Sequence, residues 1–276
     1  MARVEEVSIP APGAVLAGRL FRPPGRAAAA MVLNGATGVP ARFYAAFAEW
    51  AAERGIACLI WDYRDFAASG SPRGSSATMT DWGVHDQQAA RDWLATAIPD
   101  APLWVLGHSL GGMMLPYQTG LAGIERVILV ACGAVNVHDH PWPYQAFARA
   151  FWSWPMRATA RGFGYLPLRA LRLGHDIPAG VYRQWRDWCV SLRFQADDPD
   201  LPPPDADALT CPMRVVAAAD DALCPPAAAW RMMAAYPMAW KRQVVLRPDA
   251  FALDRIGHLD MLGVKGRTCW RTVLGP

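Results

Sequence analysis

Six short apolar runs, at residues 29–33, 57–61, 103–106, 127–130, 214–218 and 243–246, alternate with amphipathic stretches. That alternation restricts the chain to a mostly parallel sheet covered by helices. Between the first two runs, Phe43, Phe47, Trp50 and Ala51 mark one helical face, and Gly55 stands where a C-terminal cap belongs. Between the second and third, residues 81–97 read as a helix through Trp82, Ala89, Trp93 and Leu94. Residues 4–22 alternate around Pro-Gly punctuation and predict an antiparallel hairpin leading into the sheet. With 276 residues, 53% hydrophobic and 18% charged, the chain can form one large domain, or one domain carrying an insertion.

The rhythm breaks once. Residues 135–209 hold no strand-like run, but they gather Trp142, Phe147, Phe151, Trp152, Trp154, Trp185 and Trp188 and close with Leu201-Pro202-Pro203-Pro204. This segment is expected to be a helical lid inserted between two strands, dividing the core into residues 1–134 and 210–276. At the carboxyl edge of a parallel sheet, such an insertion covers the ligand crevice.

Several function classes drop out on composition and pattern. No apolar run approaches the roughly 18–20 residues that cross a bilayer. The opening Met-Ala-Arg-Val-Glu-Glu has acids where a secretory signal carries a basic flank, so the expected location is cytoplasmic. The net charge is +3, and the 27 basic residues, only Lys241 and Lys265 of them lysine, are scattered without a dense block. A nucleic-acid footprint would cluster them. Neither lysine sits in a P-loop or Schiff-base motif. Cys58, Cys132, Cys189, Cys211, Cys224 and Cys269 form no Cys-x-x-Cys pair and read as reduced thiols rather than a disulfide frame or zinc site.

The chemistry is announced by Trp104-Val105-Leu106-Gly107-His108-Ser109-Leu110-Gly111-Gly112, a Gly-x-Ser-x-Gly between a strand and a helix. A serine on such a sharp turn is held in a strained conformation that small neighbours permit, which projects its Oγ above the sheet. A serine nucleophile needs a base and an orienting acid, arriving later in the chain as acid and then His. Asp220-Asp221 follows the run at 214–218, and Gly257-His258-Leu259 follows the last run. Pro116 is expected inside the helix after Ser109, disturbing its ladder.

With these residues in place, the sequence resembles the α/β-hydrolase superfamily along nearly its whole length. The resemblance implies an α/β-hydrolase fold and a Ser109–Asp221–His258 triad, since the family's Asp-x-x-x-Pro spacing selects Asp221, four before Pro225, with Asp220 as the alternative. It also implies an oxyanion hole. One N–H comes from Leu110; the other comes from Asn34-Gly35-Ala36-Thr37-Gly38, which resembles the family's His-Gly-x-x-Gly loop with Asn for His. Ala36 is the expected donor and Thr37 the alternative. His108 occupies a position that faces away from the serine in the family, where it packs or orients. A narrower resemblance, carried by Gly35 to Pro40, Phe43-Tyr44, Asp62 to Phe66, Leu166-Pro167 and Gln184-Trp185-x-x-Trp188-Cys189, is to bacterial predicted α/β-hydrolases loosely grouped with serine aminopeptidase-like enzymes. Those relatives carry Gly after Phe66, where this chain has Ala67-Ala68.

The expected activity is a serine hydrolase, esterase-like, cleaving a carboxylic ester or similar acyl compound of small-molecule size, with medium or bulky apolar acyl groups preferred over acetyl and with no cofactor. Thr37, His108, Trp152 and Trp185 are the candidate substrate contacts. An acyltransferase, an aminopeptidase-like amide hydrolase and a non-catalytic binding protein are the alternatives. An aminopeptidase would need an acid from the insertion, Asp139, Asp176 or Asp187, to hold the substrate amine. His138-Asp139-His140 has metal-binding residue types but no third ligand cluster, and reads as a turn of the lid. Asp62, Arg64 and Asp65 read as a local ion network, and Cys224 as a packing thiol.

Overall fold

All six apolar runs become strands of one eight-stranded sheet; the structure, a computed structural model, describes residues 2–276. The N-terminal hairpin is β1 (Arg3–Ala11) and β2 (Ala14–Arg22). There follow β3 (Ala29–Asn34), β4 (Ile56–Trp61), β5 (Leu103–His108) and β6 (Ile124–Val130). Two short strands, β7 (Tyr165–Leu166) and β8 (Ile177–Pro178), pair apart from the sheet, which resumes with β9 (Pro212–Ala218) and β10 (Trp240–Leu246). The order is β1-β2-β4-β3-β5-β6-β9-β10, with β2 antiparallel to both neighbours and all pairs from β4 to β10 parallel. Every residue of β3 and β4 is buried, as expected for a parallel sheet covered on both faces.

The helices are α1 (Ala45–Ala52), α2 (Gln87–Ala97) and α3 (Leu110–Met113); α4 (Tyr144–Phe151), α5 (Trp154–Phe163) and α6 (Ala179–Val190) in the segment between β6 and β9; then α7 (Pro226–Arg231) and α8 (Trp270–Leu274). Phe47 and Trp50 of α1 meet Trp270 of α8 at 5.5 and 5.7 Å between ring centroids, locking two helices onto the sheet. From β3 the chain steps outward to β4 and then crosses back to β5 on the other side of β3. That reversal opens a crevice at the carboxyl ends of β3 and β5, where Asn34 stands in register with Gly107.

The structure corrects three local expectations. The helix read over 81–97 is wound as a π-helix from Asp81 to Asp86 before α2 begins, with Gly83 against Met114, where an added Cβ would lie 2.3 Å from Met114 Cγ. Pro116 does not disturb a continuing helix, because α3 ends after one turn and Pro116 sits in a separate 3-10 turn, Leu115–Tyr117. The segment expected to lack strands contains the β7–β8 pair, too short to leave a period in the sequence. Among the described residues no helix is long and apolar enough to cross a membrane.

Candidate active site

Strand β5 delivers Ser109 directly into the turn before α3, at φ 54 and ψ −119. A non-glycine residue there is strained, and the turn exists because its neighbours have no side chains. A Cβ on Gly107 would meet Gly112 at 2.4 Å, and one on Gly111 would meet the Asn34 carbonyl oxygen at 2.0 Å. Asn34, the residue in place of the family's histidine, donates from Nδ2 to the Gly111 carbonyl at 3.2 Å and accepts from Trp61 Nε1 at 3.1 Å. It therefore ties the end of β3 to the start of α3. Among the described residues nothing hydrogen-bonds Ser109 Oγ.

The loops after β9 and β10 bring Asp221 and His258 together, with His258 Nδ1 2.8 Å from Asp221 Oδ2. A carboxylate only accepts, so Nδ1 is the donor in this pair. The other Asp221 oxygen accepts from the N–H groups of Leu223 and Cys224, both at 2.9 Å, which fixes this buried carboxylate. Asp220 acts on the backbone instead. Its two oxygens accept the N–H groups of Ile256 and Gly257, each at 3.0 Å, and so hold the chain just before His258.

The loop after β3 requires a correction. The Ala36 N–H, the expected oxyanion donor, is already committed to the Tyr44 hydroxyl at 2.9 Å, and Ala36 is buried. Thr37 instead lines the cavity that holds Ser109. Among the described residues neither the Thr37 nor the Leu110 N–H has an internal acceptor. His108 is corrected as well: it is fully buried and does not line that cavity. Its Nε2 lies 2.9 Å from the His258 carbonyl oxygen, so it donates there, and its Nδ1 accepts from Tyr44 Oη at 2.8 Å. Burial first, and His258 second, push the His108 pKa down to about 3, while burial pushes the Tyr44 phenol well up. A neutral chain of hydrogen bonds thus runs from the Ala36 N–H through Tyr44 and His108 to the backbone of His258.

The cavity, of about 180 Å³, is walled by Ser109 and Thr37 on the sheet side and by Phe147, Phe151, Trp152 and Trp185 from the segment between β6 and β9. Trp152 and Trp185 meet edge to face at 4.8 Å. The remaining indoles of the segment stay outside it: Trp188 is buried elsewhere, and Trp142 and Trp154 are exposed. Among the described residues no Arg, Lys, Asp or Glu lines the cavity. His138, Asp139 and His140 go three ways, to Arg149, to Arg231 and to the Ala222 carbonyl, and among the described residues no group of three or more metal-ligating side chains is found. The expected Asp62–Arg64–Asp65 ion network is corrected: Arg64 bonds Asp86 and Asp81 instead, Asp62 accepts the Ala41 and Ala68 N–H groups, Asp65 accepts Ser75 Oγ, and none of the three lines the cavity. Cys224 lines the cavity as a buried thiol whose pKa burial pushes well up.

A sequence model of the alpha/beta hydrolase family matches residues 30–262, which include Ser109, Asp221 and His258. The chain belongs to the alpha/beta hydrolase family. Its fold is similar to that of an esterase, PF2001 of Pyrococcus furiosus, at 15% identity and a TM-score of 0.62 over 99% of this chain and 89% of the other. It is likewise similar to the enol-lactonase of Burkholderia xenovorans LB400, at 19% identity and a TM-score of 0.61 over 97% and 98%. The hypothetical protein PA2218 of Pseudomonas aeruginosa aligns at 15% identity with a TM-score of 0.65 over 96% and 90%. At such identities the likeness speaks for the fold alone. No curated protein matches the chain by sequence. For an alpha/beta hydrolase, the features missed in sequence are the Tyr44 phenol behind the loop after β3, the Asp220 brace and the Tyr144 side chain in the cavity wall. Adjacency to Asp221 was the only signal for Asp220, Tyr44 was marked only as part of the Phe43-Tyr44 resemblance, and Tyr144 left no signal.

Proposed function

We propose that this chain is a serine hydrolase that cleaves a carboxylic ester, or a similar acyl compound, with a compact apolar acyl group. The supporting observation is Ser109, strained at φ 54 and opening onto an apolar cavity, in a chain that also pairs His258 with Asp221 at 2.8 Å. Such a backbone conformation costs on the order of 1–3 kcal/mol. Packing alone gives a serine no reason to adopt it.

In the proposed cycle, His258 Nε2 takes the Ser109 proton as Oγ attacks the acyl carbon. The N–H groups of Leu110 and Thr37 receive the charge that develops on the carbonyl oxygen. His258 then protonates the leaving group, and a water molecule activated in the same way hydrolyses the acyl-enzyme. Asp221 stays ionised, holding the imidazole tautomer and stabilising its charged form. Residues 135–209 act as the lid, contributing the aromatic wall. An aminopeptidase-like reaction is less favoured, because Asp139 pairs with Arg231, Asp187 pairs with Arg186 and Asp176 accepts the Arg169 N–H, and none of the three lines the cavity.

A fluorophosphonate probe should label Ser109, and a panel of p-nitrophenyl esters should be hydrolysed. Ser109→Ala should remain folded, lose labelling and lose several orders of magnitude in turnover. Unchanged ester hydrolysis by the folded Ser109→Ala protein would remove the serine mechanism.

A further inference from the structure

Opposite Ser109 and Thr37, the largely apolar cavity wall carries two further polar side chains where the chain enters α4. His140 is only 8% exposed, and its Nδ1 lies 3.0 Å from the Ala222 carbonyl oxygen, in the loop that carries Asp221. A carbonyl cannot donate, so Nδ1 holds the proton and the neutral ring's other nitrogen, Nε2, is an acceptor. Among the described residues Nε2 has no partner, although the ring lines the cavity. Tyr144 lines it too, edge-on to His140 at 5.1 Å between ring centroids, and among the described residues its hydroxyl has no hydrogen bond. Burial lowers the His140 pKa and raises that of Tyr144 to about 12, so both are neutral near pH 7. One wall of a largely apolar chamber thus holds an acceptor without an internal partner beside a group that can both donate and accept. Neither atom is sealed in the core; both belong to side chains on the cavity wall, where polar groups without an internal partner are free to orient a ligand.

Resting on the hydrolase reading above, we infer that His140 and Tyr144 recognise a hydroxyl on an uncharged acyl group, which donates to His140 Nε2 and accepts from the Tyr144 hydroxyl. A hydroxyl matches this pair because it is both donor and acceptor. A carboxylate has no donor for His140 and meets no cation in this cavity. An ammonium has no acceptor for Tyr144 and meets no carboxylate in the cavity wall. The same physics sets the selectivity: an acyl group without the hydroxyl leaves both protein groups desolvated and unpaired.

The experiment compares p-nitrophenyl esters in matched pairs: hexanoate against 2- and 3-hydroxyhexanoate, and 3-phenylpropanoate against 3-(4-hydroxyphenyl)propanoate. In the wild type, kcat/KM should favour at least one hydroxylated ester over its parent by about 10- to 100-fold. Tyr144→Phe removes only the hydroxyl. His140→Asn keeps an N–H near the Nδ1 position for the Ala222 carbonyl while removing the Nε2 acceptor. Each variant should bring the favoured ratio close to one, and a general loss of activity cancels because both esters of a pair use the same serine. Wild-type hydrolysis of the parent esters with no hydroxyl preference overturns the recognition site and leaves the hydrolase reading standing. A preference that survives both substitutions also overturns it, placing recognition elsewhere. Absence of both fluorophosphonate labelling and ester hydrolysis overturns the two together.

Discussion

Two adjacent carboxylates hold one histidine in different ways. Asp221 bonds the His258 ring, whereas Asp220 bonds the backbone N–H groups of Ile256 and Gly257 that precede it. Asp221→Asn should therefore disturb the tautomer and the stabilisation of the charged ring, with a loss on the order of 10⁴-fold in kcat if it behaves as other triad acids do. Asp220→Asn keeps one acceptor for two donors and should cost far less, about 10- to 100-fold, from a base held loosely. Steady-state kinetics on the two folded variants decide it, and equal losses would show that the carboxylate has been misassigned. At this scale the sequence was readable wherever chemistry fixes residue type and spacing, as with Ser109 between Gly107 and Gly111. It was not readable for the loop after β3, because the direction of a backbone N–H has no letter: proposing Thr37 over Ala36 as the oxyanion donor depends on a phenol eight residues away taking the Ala36 N–H.

At the scale of elements, the aromatic segment between β6 and β9 determines what the cavity can hold. The Trp152 ring stacks on Tyr182 at 5.7 Å, and Arg186 Nε donates to the Trp152 carbonyl at 2.7 Å, so α4 and α6 are braced as one wall. Each methylene transferred from water to that wall is worth about 0.8 kcal/mol, or roughly three- to fourfold in kcat/KM when the contact persists in the transition state. With about 180 Å³ available, the gain should stop near a six-carbon acyl group, since a cavity of about 150 Å³ already accommodates benzene. An acyl-length series from acetyl to decanoyl should rise and then level off, and Trp185→Ala should move the plateau to longer chains. A flat series would reject the apolar acyl pocket; a plateau indifferent to Trp185 would place its wall elsewhere. The strands were legible because β3 and β4 are buried on both faces and so read as unbroken apolar runs. The π-helical start before α2 was not, since it depends on Gly83 fitting against Met114, a contact between segments far apart in sequence. Nor was the turn at Ala67, which adopts φ 48, a left-handed conformation suited to the glycine of the resembling relatives.

For the whole molecule, titratable groups shifted by burial couple stability to pH with both signs. His108, with its pKa lowered from 6.5 to about 3, binds fewer protons in the folded chain than in the unfolded one. Its stabilising contribution is therefore complete above the ordinary histidine range and is lost as pH falls through the window down to about 3. His140 and His175, both lowered chiefly by burial, act in the same direction. Asp62 and Asp86, raised chiefly by burial, act in the opposite one, because the folded chain holds their protons more tightly and regains stability as they are protonated. A raw melting curve against pH mixes these signs, whereas the difference between wild type and His108→Gln isolates one of them. Glutamine keeps an N–H near the position that bonds the His258 carbonyl but does not titrate. Between pH 6 and pH 5 the wild type should lose about 1 kcal/mol more than the variant. For a chain of this size that is roughly 2–4 °C in Tm. Parallel pH slopes for the two proteins would mean that His108 takes up its proton within the fold, and the neutral chain from Tyr44 to the His258 backbone would have to be redrawn with a charge at its centre.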